Sequence, residues 1–176
     1  GKNSGDAAEA IMTTDTFKKE LALSLELGGK SVKLGGIAKG SGMIHPNMAT
    51  MLAFLTTDAA ISQKLLQKAL NLAVEDSFNM ISVDRDTSTN DTVFVLANSM
   101  AENLEITEEN EDFFRFAKAL SCLCLELAKL IAKDGEGATK LLICKVFGAK
   151  SKEDAKLAAK SVICSPLLKC AMFGED

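Results

Sequence analysis

Alternating apolar and polar residues predict a pair of strands in the first third of the chain. Every second residue from 21 to 27 is leucine, and this period of two specifies a strand with one buried face. Gly28 and Gly29 then predict a hairpin turn into a second strand over 31–34. A glycine-rich loop follows at 35–42, and the apolar run 51–55 predicts a further, buried strand.

Helical spacing dominates the middle of the chain. One predicted helix has a buried face made of Ile61, Leu65, Ala69 and Leu72 or Ala73. Residues 78–83 and 92–97 predict the two strands of a hairpin. The longest helical pattern, 108–133, begins with acidic residues and ends with lysines, as the helix dipole favours. Its predicted buried stripe consists of Phe113, Phe116, Leu120, Cys124, Leu127 and Ile131.

The last part of the chain predicts one more strand and one more helix. The strand covers 141–147, and the helix runs from 151 to 163, ended by Pro166. The inward face of this helix is predicted to carry Ala155, Ala158, Ala159 and Val162. Because strands and helices mix along the whole length, we expect a single α+β domain of layered architecture over 1–176.

Composition narrows the classes of function. The chain of 176 residues is 47% hydrophobic, enough for one domain with a core. Its formal charge of −4 and its lack of Trp and Tyr argue against nucleic-acid binding. No apolar stretch approaches the roughly 18 residues of a membrane span, so we expect no membrane partner.

The cysteines favour a cytoplasmic location. They are odd in number, lack Cys-x-x-Cys spacing and lie among apolar residues, at Cys122, Cys124, Cys144, Cys164 and Cys170. This pattern predicts reduced, buried thiols in a reducing compartment. With His45 as the single histidine, we expect no metal site.

The glycine-rich loop leads to a hydroxyl that could act as a nucleophile. Half of the residues from 35 to 42 are glycine, which lets the backbone approach another group closely. Thr50 stands where the loop meets the apolar run. Cleavage of the bond between Ala49 and Thr50 would free an α-amino group, with a pKa of about 7.7–8.0, that can activate the hydroxyl. By spacing alone, a threonine that caps a strand is the more common arrangement.

Three other short segments do not match the functional motifs that they partly resemble. The loop carries Lys-Gly-Ser at 39–41, whereas a phosphate-binding loop needs Gly-Lys-Ser. The acidic loop that begins at Asp84 has threonine and valine where a calcium loop needs glycine and glutamate. His45 precedes a proline and no Gly-x-Ser-x-Gly elbow is present, so we expect no histidine-activated nucleophile.

The order of residues from 39 to 52, Lys-Gly-Ser-Gly-Met-Ile-His-Pro-Asn-Met-Ala-Thr-Met-Leu, closely resembles the self-cleaving segment of the glutamate N-acetyltransferase family, also called ornithine acetyltransferase. Further segments resemble family motifs in family order, at 12–16, 86–91, 134–140 and 173–176. One departure is Arg85, where the family usually has glycine. Since the last motif breaks off at residue 176, we expect an internal fragment of a longer protein.

The resemblance implies a fold and a reaction. The fold would be an α/β/β/α sandwich of the N-terminal-nucleophile-like, self-cleaving type. The protein would cut itself between Ala49 and Thr50, and Thr50 would then carry the acetyl group from N-acetylornithine to glutamate in arginine biosynthesis. Thr13, Lys39 and Glu136 match further substrate contacts of the family. No cofactor is implied, although acetyl-CoA stays open as a second acetyl donor.

The resemblance also implies that the cleaved chains stay together in an oligomer and that a Thr-Gly pair upstream supplies the oxyanion donors. Two alternatives stay open. An N-terminal-nucleophile amidopeptidase would make a similar cut but hydrolyse its acyl-enzyme with water, and such enzymes typically present serine. An inactive fragment of such an enzyme would fold without cutting itself.

Overall fold

A four-stranded sheet forms the centre of the computed structural model, which describes residues 2–45, 51–86 and 90–176. Its strands, in spatial order, are β1 (Lys19–Leu27), β2 (Lys30–Lys39), β3 (Leu52–Thr57) and β4 (Thr92–Ala97). β1 and β3 run antiparallel to β2, whereas β4 runs parallel to β3. The helices are α1 (Ser4–Ala10), α2 (Gln63–Glu75), α3 (Glu111–Lys133), α4 (Lys152–Ile163) and α5 (Pro166–Gly174). The mixed α+β architecture is thus confirmed.

The predicted hairpin of β1 and β2 is present, with its turn at Gly28 and Gly29. β2 is longer than predicted, because it continues through the glycines at 35 and 36 as far as Lys39. Gly36 is needed there for packing: a Cβ at this position would lie 2.6 Å from the side chain of Leu55 and 2.9 Å from that of Leu127. The glycine therefore lets α3 approach the sheet closely.

The core lies between the sheet and the helices α2 and α3. All six residues of the predicted α3 stripe are buried, and α3 packs against β1, β2 and α2. In α2, Leu65, Ala69 and Ala73 are buried while Leu72 is largely exposed, which decides between the two alternatives left by the pattern. Ile61 is also buried, but it precedes α2 and bridges to Ile106.

The predicted hairpin of 78–83 with 92–97 is wrong. Phe78–Met80 forms a short 3-10 helix that buries Phe78, and no strand follows it within the described residues up to 86. β4 occupies 92–97 as predicted but pairs in parallel with β3. A parallel pair needs a long connection, and here the connection contains α2.

The predictions for the last part of the chain need correction. Residues 141–147 form no regular secondary structure, with Ile143 and Phe147 exposed, because no described strand offers backbone groups alongside them. α4 begins at the predicted position, where Ser151 accepts the N–H of Asp154. However, α4 buries no residue, and Val162 of its predicted inward face is exposed, as is Ala158. Pro166 opens α5, since proline is favoured at a first helical position.

The burial predicted for the cysteines is only partly correct. All five are free thiols. Cys124 is buried on the core stripe of α3, and burial raises the pKa of its thiol to about 12. Cys122 and Cys170 are exposed, because Cys122 lies off that stripe and α5 buries no residue.

Taken singly, no helix in the described part of the chain is long and apolar enough to cross a bilayer, although α4 and α5 would meet the criterion as a pair bent by 53°.

Candidate active site

Lys39 and Thr13, which are 26 positions apart in the sequence, meet at the end of β2. The Lys39 ammonium donates to the Thr13 hydroxyl at 2.9 Å, and Lys39 is only 6% exposed. Among the described residues, no carboxylate lies within 4.0 Å of this ammonium. A buried ammonium without a direct ion pair is unfavourable, so an anionic ligand would be stabilised here.

Glu136 contacts the same loop at Ser41 and Gly42. Its N–H donates to the Ser41 carbonyl at 2.9 Å, and the Ser41 hydroxyl is 2.6 Å from that of Thr14. The Glu136 side chain packs over Gly42, where a Cβ would come within 2.7 Å of the carboxyl group. This carboxylate is exposed and makes no ion pair with the described residues. The structure therefore brings Thr13, Lys39 and Glu136 together around the segment 39–42.

Asp91 contacts the residue that follows the predicted nucleophile in the sequence. Its carboxylate accepts the N–H of Met51, the residue after Thr50, at 2.6 Å. Asp91 is 6% exposed, and burial raises its pKa to about 6, although the Met51 N–H and the charge of Lys39 act in the opposite direction. Thr50 and Ala49 themselves lie outside the described residues, so the nucleophile and the cleavage site stay predictions.

A second buried lysine, Lys19, lies next to these groups. Its ammonium is 2.7 Å from the Asp15 carboxylate and 2.6 Å from that of Asp134, and all three side chains are at most 2% exposed. Burial alone would raise the pKa of both carboxyl groups. Hydrogen bonds outweigh this effect and hold both pKa values below the ordinary value, at Asp15 from the Gly40 N–H and Lys19, and at Asp134 from Lys19 and Thr16.

Sequence reasoning did not single out Lys19 or Asp15 as functional, yet a signal for this buried group was present. Lys19 lies two residues before Leu21, on the same face of β1 as the leucines that the alternation assigned to the buried side. Asp134 lies three residues after Ile131 and so continues the buried stripe of α3. Charged residues at positions that continue the spacing of a buried apolar face indicate a buried ionic group.

Asp84 of the acidic loop accepts backbone N–H groups from two segments of the chain. The Asp84 carboxylate accepts the N–H groups of Met43 at 2.5 Å, Ile44 at 3.0 Å and Asp86 at 3.1 Å. It thereby fixes the segment that leads from the glycine-rich loop toward residue 46. Arg85 has a φ of +71°, in the left-handed region where glycine is favoured.

Comparison with known proteins identifies the family. A profile of the ArgJ family matches residues 2–176. The chain belongs to the ArgJ family. The family membership inferred from the motifs is thereby confirmed, and Thr13, Lys39 and Glu136 are residues of an ArgJ family chain.

Relatives in this family are longer than the chain. It is 59% identical over 170 residues to the arginine biosynthesis bifunctional protein ArgJ 1 of Clostridium acetobutylicum, covering 97% of the chain and 42% of that protein. It is 57% identical over 173 residues to ArgJ of Bacillus subtilis, covering 98% of the chain and 43% of that protein. The chain thus spans about two fifths of the length of these relatives.

A solved structure shows the same fold. The crystal structure of the arginine biosynthesis bifunctional protein argJ from Bacillus halodurans matches with a TM-score of 0.70 and 50% sequence identity. The match covers 72% of this chain and 60% of that one.

Proposed function

We propose that the full-length protein containing this chain is an acetyltransferase of arginine biosynthesis that moves the acetyl group of N-acetylornithine to glutamate. Thr50 is the nucleophile, and cleavage between Ala49 and Thr50 activates it. Thr13, Lys39 and Glu136 contact the amino-acid substrate. The relatives named above carry arginine biosynthesis in their names, which supports this pathway.

The observation that carries the proposal is that one loop holds two opposite charges that form no ion pair with the described residues. The Lys39 ammonium is buried against the Thr13 hydroxyl, and the Glu136 carboxylate rests on Gly42. Neither is paired with an opposite charge among the described residues. An amino acid carries both a carboxylate and a cationic group, so it can pair with Lys39 and Glu136 together.

The reaction follows from the chemistry of an N-terminal threonine. The α-amino group of Thr50 takes the hydroxyl proton, and the oxygen attacks the acetyl carbonyl of N-acetylornithine. Collapse of the tetrahedral intermediate breaks the amide bond, ornithine leaves with the proton, and acetyl-Thr50 remains. The amine of glutamate then attacks this ester, and the Thr50 hydroxyl is restored as N-acetylglutamate leaves.

Parts of this machinery are expected outside the chain. Negative charge on the acetyl oxygen needs preorganised donors, each of which can matter by about 3 kcal/mol. We assign these donors to residues upstream of residue 1. We also propose that the full-length protein adopts a four-layer α/β/β/α sandwich, forms an oligomer and works in the cytoplasm. Whether acetyl-CoA also donates the acetyl group is tested by an assay with acetyl-CoA and glutamate in place of N-acetylornithine and glutamate.

Intact mass and activity of the full-length protein test the proposal together. We expect the wild type to separate into two polypeptides with Thr50 at the new N-terminus, and to transfer acetyl from N-acetylornithine to glutamate. Thr50→Ala should stay as one chain and be inactive, whereas Thr50→Ser should still cut slowly because it retains a hydroxyl. An uncut but fully active wild type would overturn the mechanism.

The molecule that accepts the acetyl group, glutamate or water, distinguishes an acetyltransferase from an amidopeptidase. If the cleaved wild type releases acetate at the same rate with and without glutamate, it is an amidopeptidase and the assigned substrate pair is wrong. Formation of N-acetylglutamate that depends on glutamate concentration supports the transferase. Thr50→Ala serves as the blank for both measurements.

A further inference from the structure

Asp15, Lys19 and Asp134 form a buried ionic cluster that the roles proposed above do not use. Lys19 donates to Asp15, to Asp134 and to the carbonyl of Phe17 at 3.4 Å, so each of the three N–H groups of its ammonium has an acceptor. Taking such charges out of water is costly, and apolar side chains of similar volume are often as stable. Stability alone is therefore a weak reason for this cluster.

One side of the cluster leads to Thr13 and Lys39. One oxygen of the Asp15 carboxylate accepts the N–H of Gly40, the residue after Lys39, at 2.7 Å. The other oxygen accepts the N–H of Thr13 at 3.2 Å. Asp15 thus bonds to the backbone beside both residues of the Lys39–Thr13 contact.

The other side leads to Glu136. Asp134 ends α3 and lies two residues before Glu136. It accepts the N–H of Thr16 at 3.0 Å and also the Thr16 hydroxyl, which ties the end of α3 to the segment that carries Thr13. Lys19 joins the two carboxylates, so it links the backbone at Thr13 and Lys39 to the turn that presents Glu136.

We propose that the ionic cluster of Asp15, Lys19 and Asp134 positions Thr13, Lys39 and Glu136 relative to one another and thereby sets the affinity for the amino-acid substrate. The inference rests on the proposed function, because it assigns substrate contact to those three residues. The cluster residues touch no substrate, and they act through the backbone of the residues that do.

Lys19→Met in the full-length protein tests the central link. The substitution removes the charge but keeps a long, unbranched side chain. We expect KM for N-acetylornithine and for glutamate to rise by about tenfold to a hundredfold, because small displacements of positioning groups have effects of this size. Because the proposed effect is on substrate binding, kcat should fall less than about threefold and self-cleavage should stay complete.

A matched control separates positioning from loss of stability. Leu70 is buried in α2, away from the cluster, and Leu70→Ala should lower Tm through a cavity. We expect this variant to keep the wild-type KM at temperatures well below its Tm. An unchanged KM in Lys19→Met, or an equal rise in KM in Leu70→Ala, would overturn the proposal.

Two further variants keep the test decisive if Lys19→Met does not fold. The triple variant Asp15→Asn, Lys19→Met, Asp134→Asn removes all three charges with little change in shape, so no unpaired charge stays buried. Thr16→Val, at an exposed position, removes the hydroxyl bond to Asp134 and should raise KM by a factor of about three. A wild-type KM in the triple variant or in Thr16→Val contradicts the proposal.

The failure of this inference is distinguishable from failure of the proposed function. A wild type that neither cuts itself nor transfers acetyl rejects the proposed function. A wild type that does both, next to a folded Lys19→Met variant with unchanged KM, rejects only the positioning role.

Discussion

Two buried lysines in this chain differ in the anions around them. Lys19 is held by two carboxylates, whereas Lys39 meets a hydroxyl and, within the described residues, no carboxylate closer than 4.0 Å. A buried ammonium is stable when anions and acceptors surround it. At the scale of the residue, Lys19 is therefore part of the folded framework, and Lys39 is suited to an anion that arrives from outside.

Substitution of each lysine by methionine should separate these roles. Lys39→Met breaks no ion pair among the described residues, so we expect a smaller loss of Tm than for Lys19→Met but a fall in kcat/KM of about a hundredfold or more, the size expected when a charged contact of about 3 kcal/mol is lost. Lys19→Met leaves two buried carboxylates unpaired and should lower Tm clearly. Thermal melts and initial rates on both variants check this pair, and a lower Tm for Lys39→Met than for Lys19→Met would contradict it.

The raised pKa of Asp91 predicts that the stability of the protein depends on pH. Its folded-state pKa of about 6 lies above the value of about 3.9 expected in an unfolded chain. The stability this group contributes is therefore full below about pH 4 and is lost as pH rises through 6. Asp91→Asn cannot ionise but can still accept the Met51 N–H through its amide oxygen.

We therefore expect Asp91→Asn to become more stable relative to the wild type between pH 4 and pH 7, which raises its relative Tm. The gain in the free energy of unfolding should be at most about 2–3 kcal/mol. Differential scanning calorimetry at several pH values measures this difference. The exposed Asp154 provides the control, and Asp154→Asn should not reproduce the trend. If the difference in Tm between Asp91→Asn and the wild type stayed constant from pH 4 to pH 7, Asp91 would not be buried as a carboxylate.

At the scale of elements, the periodicity of apolar residues correctly predicted those strands and helices that bury one continuous face. The alternation of β1 and the helical stripe of α3 were correct because each places a continuous row of apolar residues against the core. The segments 78–83 and 141–147 carry similar apolar patterns but form no strand. A strand requires a neighbour that accepts its backbone hydrogen bonds, and the sequence pattern contains no information on that neighbour.

The packing of α3 on β2 can be tested at two adjacent glycines. A Cβ at 36 would meet Leu55 at 2.6 Å and Leu127 at 2.9 Å, whereas a Cβ at 35 would find its nearest neighbour, the Thr56 hydroxyl, at 3.6 Å. We expect Gly36→Ala to lose about 1–3 kcal/mol in the free energy of unfolding, the usual range for overpacking. Gly35→Ala should be close to neutral. Equal effects in urea unfolding would mean that α3 does not sit on Gly36.

At the scale of the whole molecule, the candidate site could be predicted only in part. The motifs led to Thr13, Lys39 and Glu136, and the structure brings all three together. The ionic cluster that joins them was not predicted, because Lys19 and Asp134 are 115 positions apart and no local pattern connects them. Contacts of this range depend on the tertiary fold, in which α3 returns to the start of β1.

The same long-range packing predicts that the two products of the proposed self-cleavage stay together. The junction at 49/50 falls between β2 and β3, which pair along the register from Leu34 with Thr57 to Lys39 with Leu52. The core also includes residues from both sides of the junction, such as Leu34 and Leu55. Breaking one peptide bond in this connection removes none of these contacts.

We therefore expect the cleaved full-length protein to elute from a gel-filtration column as one species that contains both polypeptides, and to separate into two only in denaturant. The uncleaved Thr50→Ala variant should elute at the same volume, since its packing is the same. If the two wild-type polypeptides separated in native buffer, the pairing of β2 with β3 would be too weak to hold the halves. Such a result would also remove the basis for placing Thr13 and Lys39, which precede the junction, in one site with Glu136, which follows it.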